Sequence, residues 1–75
     1  MSHDASPDKL VYMANQIGKF FVSQGPDKAA TSIAEHIGKF WDPRMRATII
    51  AHLAAGGAGL DPAVRAAVEK LPRPQ

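Results

Sequence analysis

A chain of 75 residues with a formal net charge of +2, 45% hydrophobic and 21% charged, is one folded domain rather than a disordered segment, and its charge is too small to indicate a nucleic-acid partner. It contains no cysteine, which excludes disulfides and thiolate ligation of zinc or iron–sulfur clusters. No uncharged apolar run approaches the roughly 18 residues needed to cross a bilayer, and Met1-Ser2-His3-Asp4 lacks the pattern of a secretory signal, so the expected location is the cytoplasm.

A domain this small buries only about 60% of its unfolded surface, so stability must come from helix packing or from a partner. Pro7, Pro26, Pro43 and Pro62 stand where helices should begin, because proline suits the first helical position. Ser6, Asp42 and Asp61 precede three of them as N-caps, and Gly25 precedes Pro26 as a weaker one. These signals predict helices over about 7–22, 26–40, 43–55 and 62–71. No sustained polar–apolar alternation suggests a strand. The expected fold is all-α, a small bundle of about four short helices in one domain over 7–71. Residues 1–6 and 72–75 are expected to form flexible tails.

The first helix carries Leu10, Met13, Ala14, Ile17, Phe20 and Phe21 at helical spacing, and the second carries Ala30, Ile33, Ala34, Ile37, Phe40 and Trp41. Each position in the second set is its counterpart plus twenty, and Gly18-Lys19 is matched by Gly38-Lys39. This internal repeat predicts a helical hairpin whose arms present the same kind of apolar face. A mid-helix glycine costs about 1 kcal/mol relative to alanine. It either lets the helix fray or admits a neighbouring backbone, and the residues leave both open.

The third helix presents Met45, Thr48, Ile49, His52 and Leu53 on one side, with Ile50 and Ala54 at the edge. Gly56-Gly57-Ala58-Gly59 ends it and is expected to be the most mobile internal segment. The fourth helix turns Val64, Ala67, Val68 and Leu71 inward before Pro72 stops it.

No catalytic or cofactor-binding chemistry is visible. His3, His36 and His52 fall on a tail and two separate helices, without HExxH spacing or an accompanying carboxylate cluster. The glycine-rich segment lacks the preceding strand of a phosphate loop. The pairs Asp42/Arg46, Asp61/Arg65 and Glu35/Lys39 have the four-residue spacing of solvated ion pairs. Arg44 has no acid at either helical spacing and sits in a first turn, where the helix dipole disfavours a cation. Beside Trp41 it has the make-up of an interface hot spot. Trp41 is either a core plug or a partly exposed anchor, and Phe20, Phe21 and Phe40 read first as core. Yet both arms end in an aromatic pair, and adjacent helical residues point about 100° apart, so at least one ring should reach a second surface. The candidate partner-binding set is Lys39, Phe40, Trp41, Arg44, Met45 and Arg46.

Three segments carry a resemblance to a known family: Met13-Ala14-Asn15-Gln16-Ile17, Lys39-Phe40-Trp41-Asp42-Pro43-Arg44-Met45-Arg46, and Gly56-Gly57-Ala58-Gly59-Leu60-Asp61-Pro62. Together they resemble the delta subunit of NAD-dependent, molybdenum-containing formate dehydrogenases, over most of the chain. The resemblance implies a small non-catalytic subunit of a cytoplasmic complex that supports assembly, stability or cofactor loading. Its partners would be the larger subunits, with alpha favoured. In that family the larger subunits carry a molybdenum (or tungsten) pterin, iron–sulfur clusters, FMN and the NAD site, and no cofactor is expected on this chain. An alternative is a free-standing helical protein of structural or regulatory role, with the repeated arms pairing in a homodimer. Nucleic-acid binding is disfavoured, because the third helix continues as apolar Ala47-Thr48-Ile49-Ile50-Ala51 and the basic residues are spread over all the helices.

Overall fold

The computed structural model describes residues 6–72, and every regular element among them is helical. Four α-helices follow one another as α1 Pro7–Gln24, α2 Ala29–Phe40, α3 Pro43–Ala54 and α4 Pro62–Lys70, with a 3₁₀ turn at Pro26–Lys28 between the first two. No strand occurs among the described residues. Most of the expected tails, His3 included, lies outside the described residues.

The X-Pro steps set the starts. Proline pushes the residue before it out of the α region, and Ser6, Asp42 and Asp61 are all extended. The Ser6 hydroxyl accepts from the Lys9 N–H at 3.4 Å, and Asp42 Oδ1 accepts from the Met45 N–H at 2.9 Å. Pro26 begins the 3₁₀ turn instead of the α-helix itself, so α2 starts three residues later than expected, at Ala29. The Gly56 N–H bonds to the Leu53 carbonyl at 3.0 Å and the Gly57 N–H to the His52 carbonyl at 2.9 Å, a Schellman stop for α3. It requires glycine, since Gly56 and Gly57 have φ of 124° and 67°.

The core is drawn from every helix: Leu10 and Ala14, then Ala29, Ile33 and Ile37, then Ile49 and Ile50, then Val64, Ala67 and Val68. Trp41 and Leu60 close it from the connections, and Leu71 from the end of α4. The broadest helix contact is α2 against α4. No polar or charged side chain is buried among the described residues, so specificity rests on shape.

The buried ridge of α1 is Leu10, Ala14 and Gly18, whereas that of α2 is Ala29, Ile33 and Ile37. The repeat would pair Leu10 with Ala30 and Gly18 with Gly38; the α2 ridge runs one residue earlier. One residue is a rotation of about 100° on a helix. The two arms therefore do not present the same face. Gly18 is buried where α1 meets α4, and a β-carbon on it would lie 2.5 Å from Val64 Cγ2. Gly38 has no such neighbour within 4 Å. Both helices continue past their glycine, to Gln24 and Phe40.

The glycine segment expected to be mobile is held at three points. Asn15 of α1 donates from Nδ2 to the Gly59 carbonyl at 2.8 Å, while its Oδ1 accepts from the Asp61 N–H at 3.0 Å. His52 Nε2 lies 2.8 Å from the Ala58 carbonyl, and a carbonyl can only accept, so Nε2 carries the proton. Arg65 Nη2 donates to the carbonyls of Gly56 and Gly57 at 2.8 and 3.3 Å.

Candidate functional site

Beyond the buried ridges, α1 and α2 each carry a further row at four-residue spacing. On α1 Ile17 and Phe21 flank the core, with exposed Met13 one turn before them, and Tyr12, Gln16, Phe20 lies outside it. Phe20 is two positions beyond buried Gly18, about 200° around the helix, and is 57% exposed. On α2 the row Ser32, His36, Phe40 lies one position before the buried ridge, and Phe40 is 70% exposed. Phe20 and Phe40, read first as core although one ring at least was expected to reach a second surface, are both surface residues, because the ridges that bury Gly18 and Ile37 point them away from the core.

The flanking rows meet. Phe20 and Phe21 stand edge-to-face with ring centroids 5.2 Å apart. Phe21 stands edge-to-face with His36 at 6.0 Å, and His36 lies against Phe40 at 4.7 Å. Four rings from two helices thus form one row, with Phe21 and His36 half-buried at its centre and an exposed phenylalanine at each end. Depressions of about 210 and 360 Å³ lie beside Phe21 and Ser32. The first is edged by Glu35 and Lys39, the second by Asp27 and Lys28. Sequence reasoning included Phe40 but missed Phe20 and His36 as site residues. The usable signals were the plus-twenty match of Phe20 with Phe40 and the four-residue spacing of His36 and Phe40.

The residues expected to bind a partner differ in exposure. Lys39 and Phe40 are exposed at the end of α2, and Arg44 is exposed in the first turn of α3. Trp41 is 4% exposed, a core residue that continues the α2 ridge Ala29, Ile33, Ile37. This resolves its two readings in favour of the core within the single chain. Met45 is half-buried against the same core. Arg46 turns back: its Nη1 donates to the carbonyl of Trp41 and, at 3.4 Å, to that of Gly38. It thereby places a cation at the negative end of the α2 dipole.

None of the three expected four-residue ion pairs forms; among the described residues the ion pair is Lys19 with Asp61, at 3.4 Å. Asp42 is engaged in capping α3, which releases Arg46 to α2. Asp61 makes no side-chain cap and reaches Lys19 instead, while Arg65 binds the glycine segment. The Lys19–Asp61 pair edges a third concavity, of about 500 Å³, between the end of α1 and the start of α4. Its other lining includes Val22, Pro26, Pro62 and Val64.

Among the described residues no group of three or more His, Cys, Asp and Glu is placed to hold a metal ion. His36 stacks in the aromatic row and His52 binds a loop carbonyl, so the two serve different local structures. No helix among the described residues is long and apolar enough to cross a membrane. What the surface offers is aromatic area with polar edges, built on two helices.

Comparison with curated proteins and with solved structures returned no match. A family model described as the NADH-dependent formate dehydrogenase delta subunit FdsD matches residues 9–68. That span takes in all of α2 and α3, most of α1 and α4, and the whole aromatic row. The chain belongs to the FdsD family of formate dehydrogenase delta subunits.

Proposed function

We propose that this chain is a non-catalytic subunit that docks on a larger subunit of a cytoplasmic formate dehydrogenase complex, the alpha subunit first, and supports its assembly or cofactor loading. The observation that carries the reading is the exposed end of the aromatic row, where Phe40 is 70% exposed on a chain of a subunit family. Exposed aromatic area rimmed by polar residues is the make-up of a protein–protein contact site. The molybdenum (or tungsten) pterin, iron–sulfur clusters, FMN and NAD belong in this reading to the other subunits. The lack of cysteine supports that division for the clusters, which need thiolates.

The test is to express the complex with and without this chain, carrying an affinity tag on the chain. Capture through the tag should bring down the large subunit, and the complex made without the chain should contain less metal and less activity per mole of large subunit. Absence of capture, together with full metal content and activity in the deletion, would sink the reading.

A further inference from the structure

Helices α1, α3 and α4 begin alike, with an extended residue followed by proline at the first helical position. Ser6 and Asp42 each accept from the N–H three residues on, that of Lys9 and that of Met45. Asp61 makes no such cap. Its backbone does not account for the difference: φ is −64° and ψ 153°, against −72° and 137° for Ser6 and −76° and 167° for Asp42. What differs is the side chain's partner, since Asp61 Oδ2 meets Lys19 Nζ at 3.4 Å.

The N–H that a cap on α4 would take is that of Val64. The first N–H groups of a helix have no intrahelical acceptor, and Val64 is 0% exposed, so water does not supply one. Losing an N-cap costs about twofold to thirtyfold in the folding equilibrium, whereas an exposed ion pair contributes about fivefold or less. The Lys19 and Asp61 side chains are 67% and 43% exposed, so their pair is of the weak kind. The two engagements are therefore close in strength.

We propose that Asp61 is a two-position switch. Paired with Lys19, it ties the start of α4 to α1 at the edge of the concavity of about 500 Å³ between them. Turned about its side-chain bonds, it caps α4 at Val64 and releases Lys19. The backbone stays in place in both positions, because the Asp61 N–H is held by Asn15 Oδ1 at 3.0 Å and its carbonyl by the Arg65 N–H at 2.8 Å. Ionic strength sets the balance. The Debye length falls from about 30 Å at 0.01 M salt to about 3 Å at 1 M, which weakens an exposed pair far more than a bond to a buried N–H. The switch is independent of the docking reading.

The experiment follows amide hydrogen exchange of the full 75-residue chain at Val64, relative to Ile37 in the core of α2 as a measure of global stability. It compares wild type, K19M, D61N, D61A and K19M/D61A, at about 0.01 M and 1 M salt. D61N keeps a capping oxygen and loses the charge that holds Lys19, so its Val64 amide should exchange about fivefold or more slowly than in D61A. K19M should slow Val64 about twofold or more at low salt, and salt should do the same to wild type but not to K19M. Added to D61A, K19M should have no effect, which separates the switch from a general change in local charge. D61G stands in for D61A if circular dichroism shows that variant to lose its helices. Equal Val64 exchange in D61N and D61A overturns the capped position. Equal exchange in wild type and K19M at low salt, or a K19M effect that persists in D61A, overturns the competition with Lys19.

Discussion

Gly18 of α1 packs directly on Val64 of α4: a β-carbon on the glycine would lie 2.5 Å from Val64 Cγ2. Its repeat partner Gly38 has no comparable neighbour within 4 Å. Alanine removes the entropic penalty of a mid-helix glycine, about 1 kcal/mol, but at Gly18 it also forces two helices apart. G38A should therefore stabilise the chain by up to about 1 kcal/mol, and G18A should destabilise it by about 1–3 kcal/mol. Urea midpoints in the order G38A, wild type, G18A are expected. Shifts in the same direction would show that Gly18 is not a packing contact.

Asn15 joins the middle of α1 to a loop 44 residues away, donating to the Gly59 carbonyl and accepting from the Asp61 N–H. Removing it leaves both loop groups without their partner, a cost of about 1–3 kcal/mol. N15A should lower stability by that amount and speed hydrogen exchange at the Asp61 amide. N15D keeps an acceptor for the amide but sets a carboxylate against the Gly59 carbonyl, and should also destabilise. Unchanged protection of the Asp61 amide in N15A would mean that His52 and Arg65 hold the segment by themselves.

Arg44 and Arg46 are two residues apart and should respond in opposite ways. Arg46 bonds the Trp41 and Gly38 carbonyls at the end of α2. Hydrogen bonds to a charged group contribute about 1.5–3 kcal/mol, reduced here because the side chain is only half-buried. R46A should cost about 1–2 kcal/mol. Arg44 is exposed and makes no side-chain bond among the described residues, so R44A should stay within about 0.5 kcal/mol. Thermal unfolding of the two variants checks this, and equal losses would contradict the capping role.

Trp41, 4% exposed, is a poor probe of docking. Truncating a buried tryptophan costs about 3–5 kcal/mol, comparable with the stability of an isolated core of this size, roughly 3–5 kcal/mol. W41A should be largely unfolded by circular dichroism, while W41F should remain helical with a lower midpoint. A folded W41A of near wild-type stability would show that the ring lies outside the core.

The amino-acid sequence alone determined the helices and much of their inner faces, because those signals are local. Ser6-Pro7, Asp42-Pro43 and Asp61-Pro62 act through the φ of proline and the residue before it. Gly56 acts through its φ, and Val64, Ala67 and Val68 act through spacing within α4. Tertiary structure decided which available partner each polar group took. Asp61 could meet Arg65 or Lys19, and the approach of α1 and of the glycine segment settled it: Asp61 pairs with Lys19, and Arg65 binds the Gly56 and Gly57 carbonyls. It also decided which face of each arm is buried. The Ile-Gly-Lys-Phe repeat is compatible with identical arms, but the buried ridge of α2 runs one residue out of phase with that of α1, a rotation of about 100°. That offset turns Gly18 inward and Gly38 outward while leaving both Phe20 and Phe40 on the surface. The repeat was legible from the start; that it marks a surface follows only from how the helices are rotated against one another.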